Sequence, residues 1–194
     1  MTVTCSVYIA ASLDGFIARP DGDIDWLHNP AYTLPDGEND FGYEAFMATV
    51  DALVMGSYSY EKVLSFDSWP YGAKKVVVLT QRPLSPPTDP AANVSFDSGP
   101  PANIVARQAQ AGARHLYIDG GQTIQRFLRA GLIDQMIITQ IPILLGSGIP
   151  LFGDLGVEIP LRLQHSRAFA NGFVQNQYQI EKEEGRRKKV ESRR

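Results

Sequence analysis

The chain has 194 residues, 44% of them hydrophobic and 20% charged, with a formal net charge of −3. This composition suits one globular domain with a sizeable core, and no apolar run approaches the ~20 residues that span a bilayer as a helix. Residues 181–194 carry 7 Lys/Arg against 4 Asp/Glu, net +3, which leaves −6 on the rest and argues against nucleic acid as a partner.

At the N-terminus Val3, Cys5, Val7 and Ile9 alternate with other residues, so the chain starts as a strand and not as a signal peptide. The single cysteine excludes an internal disulfide and fits a reducing, cytoplasmic setting. Strand one, about residues 3–10, runs into Ala10-Ala11-Ser12-Leu13-Asp14-Gly15-Phe16-Ile17-Ala18, where Asp-Gly marks a turn. The alanines there would let a flat group lie against the backbone. Residues 19–38 read as a long irregular loop, a length more often functional than idle. Asp21, Asp23 and Asp25 invite a calcium-loop reading, which fails because Trp26 stands where that loop requires Gly.

Asp40 to Ala48 reads as a helix with Phe41, Ala45 and Ala48 on one face. Ala52 to Met55 is an apolar strand, Gly56 a break, and Ser57 or Ser59 caps a following helix with Glu61 in its first turn. Lys75 to Leu79 is a β-branched strand ending in Thr80-Gln81-Arg82, and the proline-rich run 83–92 is a surface loop. A short strand near Val94–Phe96 precedes a helix that starts at Pro100-Pro101 and stops at Gly112.

Leu116 to Ile118 form a buried strand that stops at Asp119. Gly120-Gly121 follow, then Ile124, Phe127 and Leu128 at helical spacing up to Gly131. Such a strand–Gly-Gly–helix junction can merely turn the chain, or it can admit a phosphate to the helix N-terminus. The junction at Gly56 is a second of the same kind. Gln135–Pro142 is a strand, 144–152 a glycine-punctuated loop, and segments 160–169 and 172–180 meet in a hairpin at Asn171-Gly172. The sum is an α/β fold with a mostly parallel central sheet, helices on both faces and an antiparallel C-terminal hairpin. Residues 1–180 make one domain and 181–194 a charged, disordered tail. His28, His115 and His165 are scattered, and no metal site is expected.

Several segments resemble the dihydrofolate reductase-fold proteins, most closely the reductase domain of the riboflavin-biosynthesis deaminase-reductase group. They are Ser12-Leu13-Asp14-Gly15, Met55-Gly56-Ser57-Tyr58-Ser59-Tyr60-Glu61, Gly131-Leu132-Ile133-Asp134, and Ile141-Pro142 through Gly148 to Leu151-Phe152. They come in the expected order, and the resemblance covers roughly residues 3–180. The resemblance implies an NADPH-dependent reductase acting on a small heterocycle, of ribosylaminouracil or pterin type. A binding or redox-linked regulatory protein that keeps the coenzyme pocket without turnover is the alternative.

By the same resemblance, Gly120, Gly121, Gln122, Thr123 and Ile124 would meet the pyrophosphate, and the Gly120–Gly121 peptide would be cis. Gly56, Ser57, Ser59, Leu79, Thr80, Gln81 and Arg82 would meet the adenosine phosphate. Ala10, Ala11, Ile17 and Ala18 would border the nicotinamide. Asp40 would be the catalytic acid beside Thr139, with Glu44 one turn on and Trp26 walling the substrate. Ser57 replaces the family's arginine, which leaves Arg82 as the cation expected to read the 2′-phosphate. A homodimer paired through later strands, with Gln135–Ile141 in or beside the interface, is also implied.

Overall fold

The computed structural model describes residues 2–34 and 40–181. The tail expected at 181–194 lies outside them apart from Glu181. The strands are β1 (Thr4–Ser12), β2 (Phe16–Ala18), β3 (Ala52–Gly56), β4 (Lys75–Leu79), β5 (Asn93–Asp97), β6 (His115–Asp119), β7 (Gln135–Ile141), β8 (Ile149–Pro150), β9 (Leu161–Ala168) and β10 (Val174–Ile180). The helices are α1 (Tyr43–Thr49), α2 (Ser57–Leu64), α3 (Pro101–Gln110) and α4 (Gly121–Arg129), with two 3₁₀ turns at Asp25–His28 and Pro30–Tyr32.

Among the described residues the main sheet runs β5-β4-β3-β6-β1-β7-β10-β9. Its pairs are parallel from β5 to β7, and β10 is antiparallel to both β7 and β9. Strand alternation sorts the core into two layers. Val54, Val77, Leu79 and Ile118 pack with Ile104 of α3 and with Ile124, Phe127 and Leu128 of α4. Leu53, Met55, Val76, Val78 and Tyr117 pack with Phe46 of α1 and Tyr60 of α2 on the other face. Each such side chain, fully buried, contributes about 1.5–3 kcal/mol of transfer free energy. The parallel sheet, the helices on both faces and the C-terminal hairpin are thus as expected. Asn171-Gly172 makes the hairpin turn with Gly172 at φ 85°.

Three expectations need correction. The helix after the long loop starts at Tyr43, because Phe41 (φ 53°) and Gly42 (φ 86°) are both left-handed. Phe46 and Val50 are therefore buried while Ala45 and Ala48 are exposed, and the Phe41 ring turns to stack on Phe173. Ile149–Pro150, read as loop, pairs with Phe16–Ala18 as a small two-stranded sheet. Strand β7 lies inside the sheet, with β1 and β10 on its two edges. Finally, no peptide bond is cis among the described residues, so Gly120–Gly121 is trans. Gly120 makes the turn through φ 86°, ψ 133° instead.

Candidate active site

Parallel strands aim their C-terminal ends at one edge, which gathers Ser12, Gly56, Leu79, Asp97, Asp119 and Ile141. Open α/β sheets hold their ligands at that edge. At the β6–α4 junction the glycines are demanded by protein neighbours. A Cβ on Gly120 would lie 2.3 Å from Ser59 Oγ, and one on Gly121 would lie 3.0 Å from Ile17 Cδ1 and 3.1 Å from the Pro150 carbonyl oxygen. The paired glycines thus let α2, β2 and β8 close on the head of α4. Gln122 is exposed there and Thr123 buried. Ile124 offers the site little, because its side chain is fully buried and its N–H donates to the Gly120 carbonyl at 2.9 Å. Ser59 is directed at Gly120 and is not among the residues lining the neighbouring cavity.

That cavity, about 480 Å³, is lined by Ser57, Leu79, Thr80, Gln81, Arg82, Ser98, Gly99 and Arg126. It unites the Gly56 junction with the turn after β4. Ser98, Gly99 and Arg126 were not legible in the sequence; they arrive because β5, β4 and β3 are neighbours and α4 packs on β3 and β6. Arg82 forms a 2.5 Å ion pair with Glu61, and Arg126 donates to the Gly99 carbonyl at 3.0 Å. The Thr80 hydroxyl shapes the turn by donating to the Arg82 carbonyl and accepting from the Arg82 N–H.

On the other side of β6, Ala10 and Ala11 pair in register with Thr139 and Gln140 of β7, and Ala11 and Ala18 are buried. Asp14 explains the Ser-Leu-Asp-Gly motif. Its carboxylate accepts from Ser12 Oγ at 2.5 Å and from the N–H groups of Leu145 and Gly146 at 3.1 and 2.7 Å, tying the β1–β2 turn to the glycine-rich loop. The hydroxyl bond, then the backbone bonds, hold its carboxyl below the usual range.

Among the described residues no hydrogen bond joins Asp40 to Thr139. Asp40 is exposed and accepts from the N–H groups of Gly42 and Glu44, so it heads α1, and Glu44 is exposed beside it. Thr139 Oγ1 is buried and accepts from Gln175 Nε2 at 3.0 Å; the same amide also reaches Tyr8 Oη and the Phe41 carbonyl, both at 3.1 Å. Tyr8 Oη itself donates to the Phe41 carbonyl at 2.7 Å. Those donors fix a non-glycine residue in a left-handed conformation, a form of strain that surroundings must over-determine. Trp26 is buried with Leu34, Ile141, Phe169 and Phe173, and its indole N–H has no partner among the described residues.

One carboxyl at this edge escaped the sequence reading. Asp119, the residue before Gly120, keeps partial exposure as a whole, yet desolvation raises its carboxyl above the ordinary range against the opposing pull of the Gly120 N–H and the Tyr117 hydroxyl. Tyr117 Oη lies 3.4 Å from Asp119 Oδ1 and donates to the Tyr8 carbonyl at 2.7 Å. Burial, then the Asp119 charge, pushes Tyr43 up to about 12 and raises Tyr71 and Tyr117 also. A carboxyl that burial raises above its ordinary range, with raised tyrosines near it, is a candidate to give a proton to a bound base.

A family model for the RibD C-terminal domain matches residues 3–175. The chain belongs to the RibD C-terminal domain family. It is 40% identical to the Bacillus subtilis (strain 168) protein YwjB over 166 residues, 84% of this chain and 90% of YwjB. A crystal structure from Shewanella sp. PV-4, of a protein named for riboflavin biosynthesis, superposes with TM-score 0.84 at 41% identity, covering 92% of this chain and 99% of that one. The fold extends to dihydrofolate reductase from Enterococcus faecalis complexed with NADP(H), at TM-score 0.61 and 15% identity over 92% of this chain and 97% of that one. RibD-type domains are reductase domains, which puts this chain among the oxidoreductases. Among the described residues no helix is long and apolar enough to cross a membrane, and no cluster of His, Cys, Asp or Glu is placed to hold a metal ion.

Proposed function

We propose that the protein is an NADPH-dependent reductase of a small heterocycle, of ribosylaminouracil or pterin type. The observation that carries the reading is a cavity at the C-terminal edge of the sheet that offers two guanidinium groups and three hydroxyl-bearing side chains, with Asp119, a carboxyl that burial raises, at the end of β6 on the same edge. That donor set fits a phosphate-rich coenzyme. NADPH, when bound, supplies the hydride; the chain binds, orients and excludes water. Ser57, Gln81, Arg82 and Arg126 would hold the adenosine end, and the N–H groups of Gly121, Gln122 and Thr123 at the head of α4 the pyrophosphate. Ala10, Ala11, Ile17 and Ala18 would leave room for the flat nicotinamide.

For the substrate, Asp119 would donate the proton that balances hydride addition. The Trp26 N–H, without a partner among the described residues, would meet a carbonyl oxygen, and the Thr139–Gln175–Tyr8 network would orient the ring. Asp40 acts here as a helix-heading residue that fixes Phe41 within that network. Its exposure favours Asp119 over it as the proton donor. Steady-state NADPH oxidation against a panel of ribosylaminouracils and reduced pterins tests the reading. A substrate turned over with NADPH supports it, and coenzyme binding without turnover on any of them would favour the non-catalytic alternative.

Pairing as a homodimer is part of the proposal, through β9 and not β7. All of β9 is exposed, Leu163 by 54%, and one of its edges has no strand beside it among the described residues. Light scattering at micromolar concentration should give a dimer that Leu163→Lys splits; a wild-type monomer rejects it. A cytoplasmic setting suits the buried thiol of Cys5.

A further inference from the structure

We propose that Arg126 is the residue that reads the 2′-phosphate of the coenzyme, ahead of Arg82. The inference rests on the coenzyme reading above and assigns the specificity of its adenosine pocket. Three arginines stand in or next to that pocket, and their partners set them apart. Arg82 is paired with Glu61 at 2.5 Å. Arg107, on α3, is tied to both oxygens of Asp97 at 2.8 and 2.9 Å. Arg126 lines the cavity itself and, among the described residues, has the Gly99 carbonyl as its hydrogen-bond partner and no carboxylate. A guanidinium has five N–H donors, so one bond to a carbonyl leaves a fork for bidentate phosphate binding with its charge uncompensated.

An incoming phosphate would have to share Arg82 with Glu61, whose charge opposes it. At Arg126 it displaces no anion. The hydroxyls beside Arg126 point the same way, since Ser57 and Ser98 both line the cavity and neither hydroxyl has a protein partner among the described residues. Arg126 also lies five residues beyond Gly121 on α4, about 7.5 Å along the axis. A single rigid helix would then present its N-terminal N–H groups to the pyrophosphate and a cation to the ribose phosphate. In the sequence Arg82 is the only full positive charge in the Ser57–Ser59 and Thr80–Arg82 segments; the pocket's second cation comes from a helix distant in sequence.

Calorimetric titration of wild type, Arg126→Gln, Arg126→Lys and Arg82→Gln with NADPH, NADH, adenosine 2′-monophosphate and adenosine tests this. Arg126→Gln should weaken NADPH and adenosine 2′-monophosphate about 10- to 100-fold, as loss of a charge-assisted bond does, and leave NADH and adenosine nearly unchanged. Arg126→Lys should recover part of the loss, and Arg82→Gln should lose less than Arg126→Gln. Equal losses for NADPH and NADH in Arg126→Gln, or a larger selective loss in Arg82→Gln, overturn the assignment. Should Arg126→Gln fail to fold for want of the Gly99 contact, Arg126→Lys decides it: NADPH affinity equal to wild type overturns the bidentate role. Wild-type protein that binds neither coenzyme contradicts the coenzyme reading itself, whereas wild-type NADPH binding with an indifferent Arg126→Gln sinks this inference alone.

Discussion

Strand β6 has an aspartate at each end, Asp51 reaching its start from the residue before β3 and Asp119 closing it, and the two behave in opposite ways. At its start Asp51 accepts from the N–H groups of Arg114 and His115 at 2.7 and 2.9 Å, and those backbone bonds hold its carboxyl below the usual range. At its finish Asp119 is raised by desolvation. The same contrast runs through both edges of the sheet. At the N-terminal edge Ser6 Oγ sits 2.6 Å from His115 Nε2, while His115 Nδ1 lies 3.0 Å from the Thr49 carbonyl. That arrangement has the residue types of a nucleophile and its base. Ser6 is fully buried, however, and also accepts from Gln135 Nε2 at 2.8 Å, so the cluster is a structural clasp between β1, β6, β7 and the end of α1. Reactive residue types in contact do not make a site; polar capacity left over within reach of a cavity does.

The largest expected effect tests the raised carboxyl. Asp119→Asn should cut turnover roughly 10²- to 10⁴-fold, the scale of a lost general acid, with NADPH affinity unchanged. It should also alter stability against pH. Because the folded carboxyl binds its proton above the ordinary value of 3.8, the folded state holds more protons than the unfolded one between 3.8 and the raised pKa. Wild-type stability therefore falls as pH rises through that window. Thermal melts of Asp119→Asn should lack that fall and lie above wild type at neutral pH. An unchanged pH profile would remove Asp119 from its role.

Next in size is Gly120→Ala, which forces a side chain into a φ of 86° and onto Ser59 Oγ at 2.3 Å. Strain of this kind costs about 1–3 kcal/mol before the clash is counted. Adding Ser59→Gly should recover the steric part and leave the conformational part, which denaturant titration resolves. The smallest effect is expected at the opposite edge. Asp51→Asn should cost about 1 kcal/mol or less, since the residue is exposed and its hydrogen bonds are screened. Asp51 stabilises the fold above 3.8 and loses that contribution as pH falls through its lowered folded value. Acid melts should show this loss while turnover stays as in wild type.

Local chemistry made much of the fold legible. Lys75–Leu79 with its β-branched run, the glycine stops at Gly112 and Gly131, and the Asn171-Gly172 turn each carry their structure in neighbouring residues. The face of α1 was not readable, because Phe41 adopts a left-handed conformation that no local preference announces and so delays the helix start. The glycines at 120 and 121 were visible as a turn, but their reason lies in Ser59, Ile17 and Pro150, which only the folded chain brings near. The candidate site divides in the same way. Ser57 and Thr80–Arg82 stood in recognisable segments, whereas Arg126 enters through the sheet order and Asp119 acquires its shift from burial among Tyr43, Tyr71 and Tyr117.

The contrast between the two edges can be read in one experiment: amide hydrogen exchange of the wild-type protein with and without saturating NADPH. The account predicts added protection at residues 56–60, 79–82 and 120–124, with 49–51 and 114–115 unchanged. Protection confined to the N-terminal edge, or none at saturating coenzyme, would contradict it.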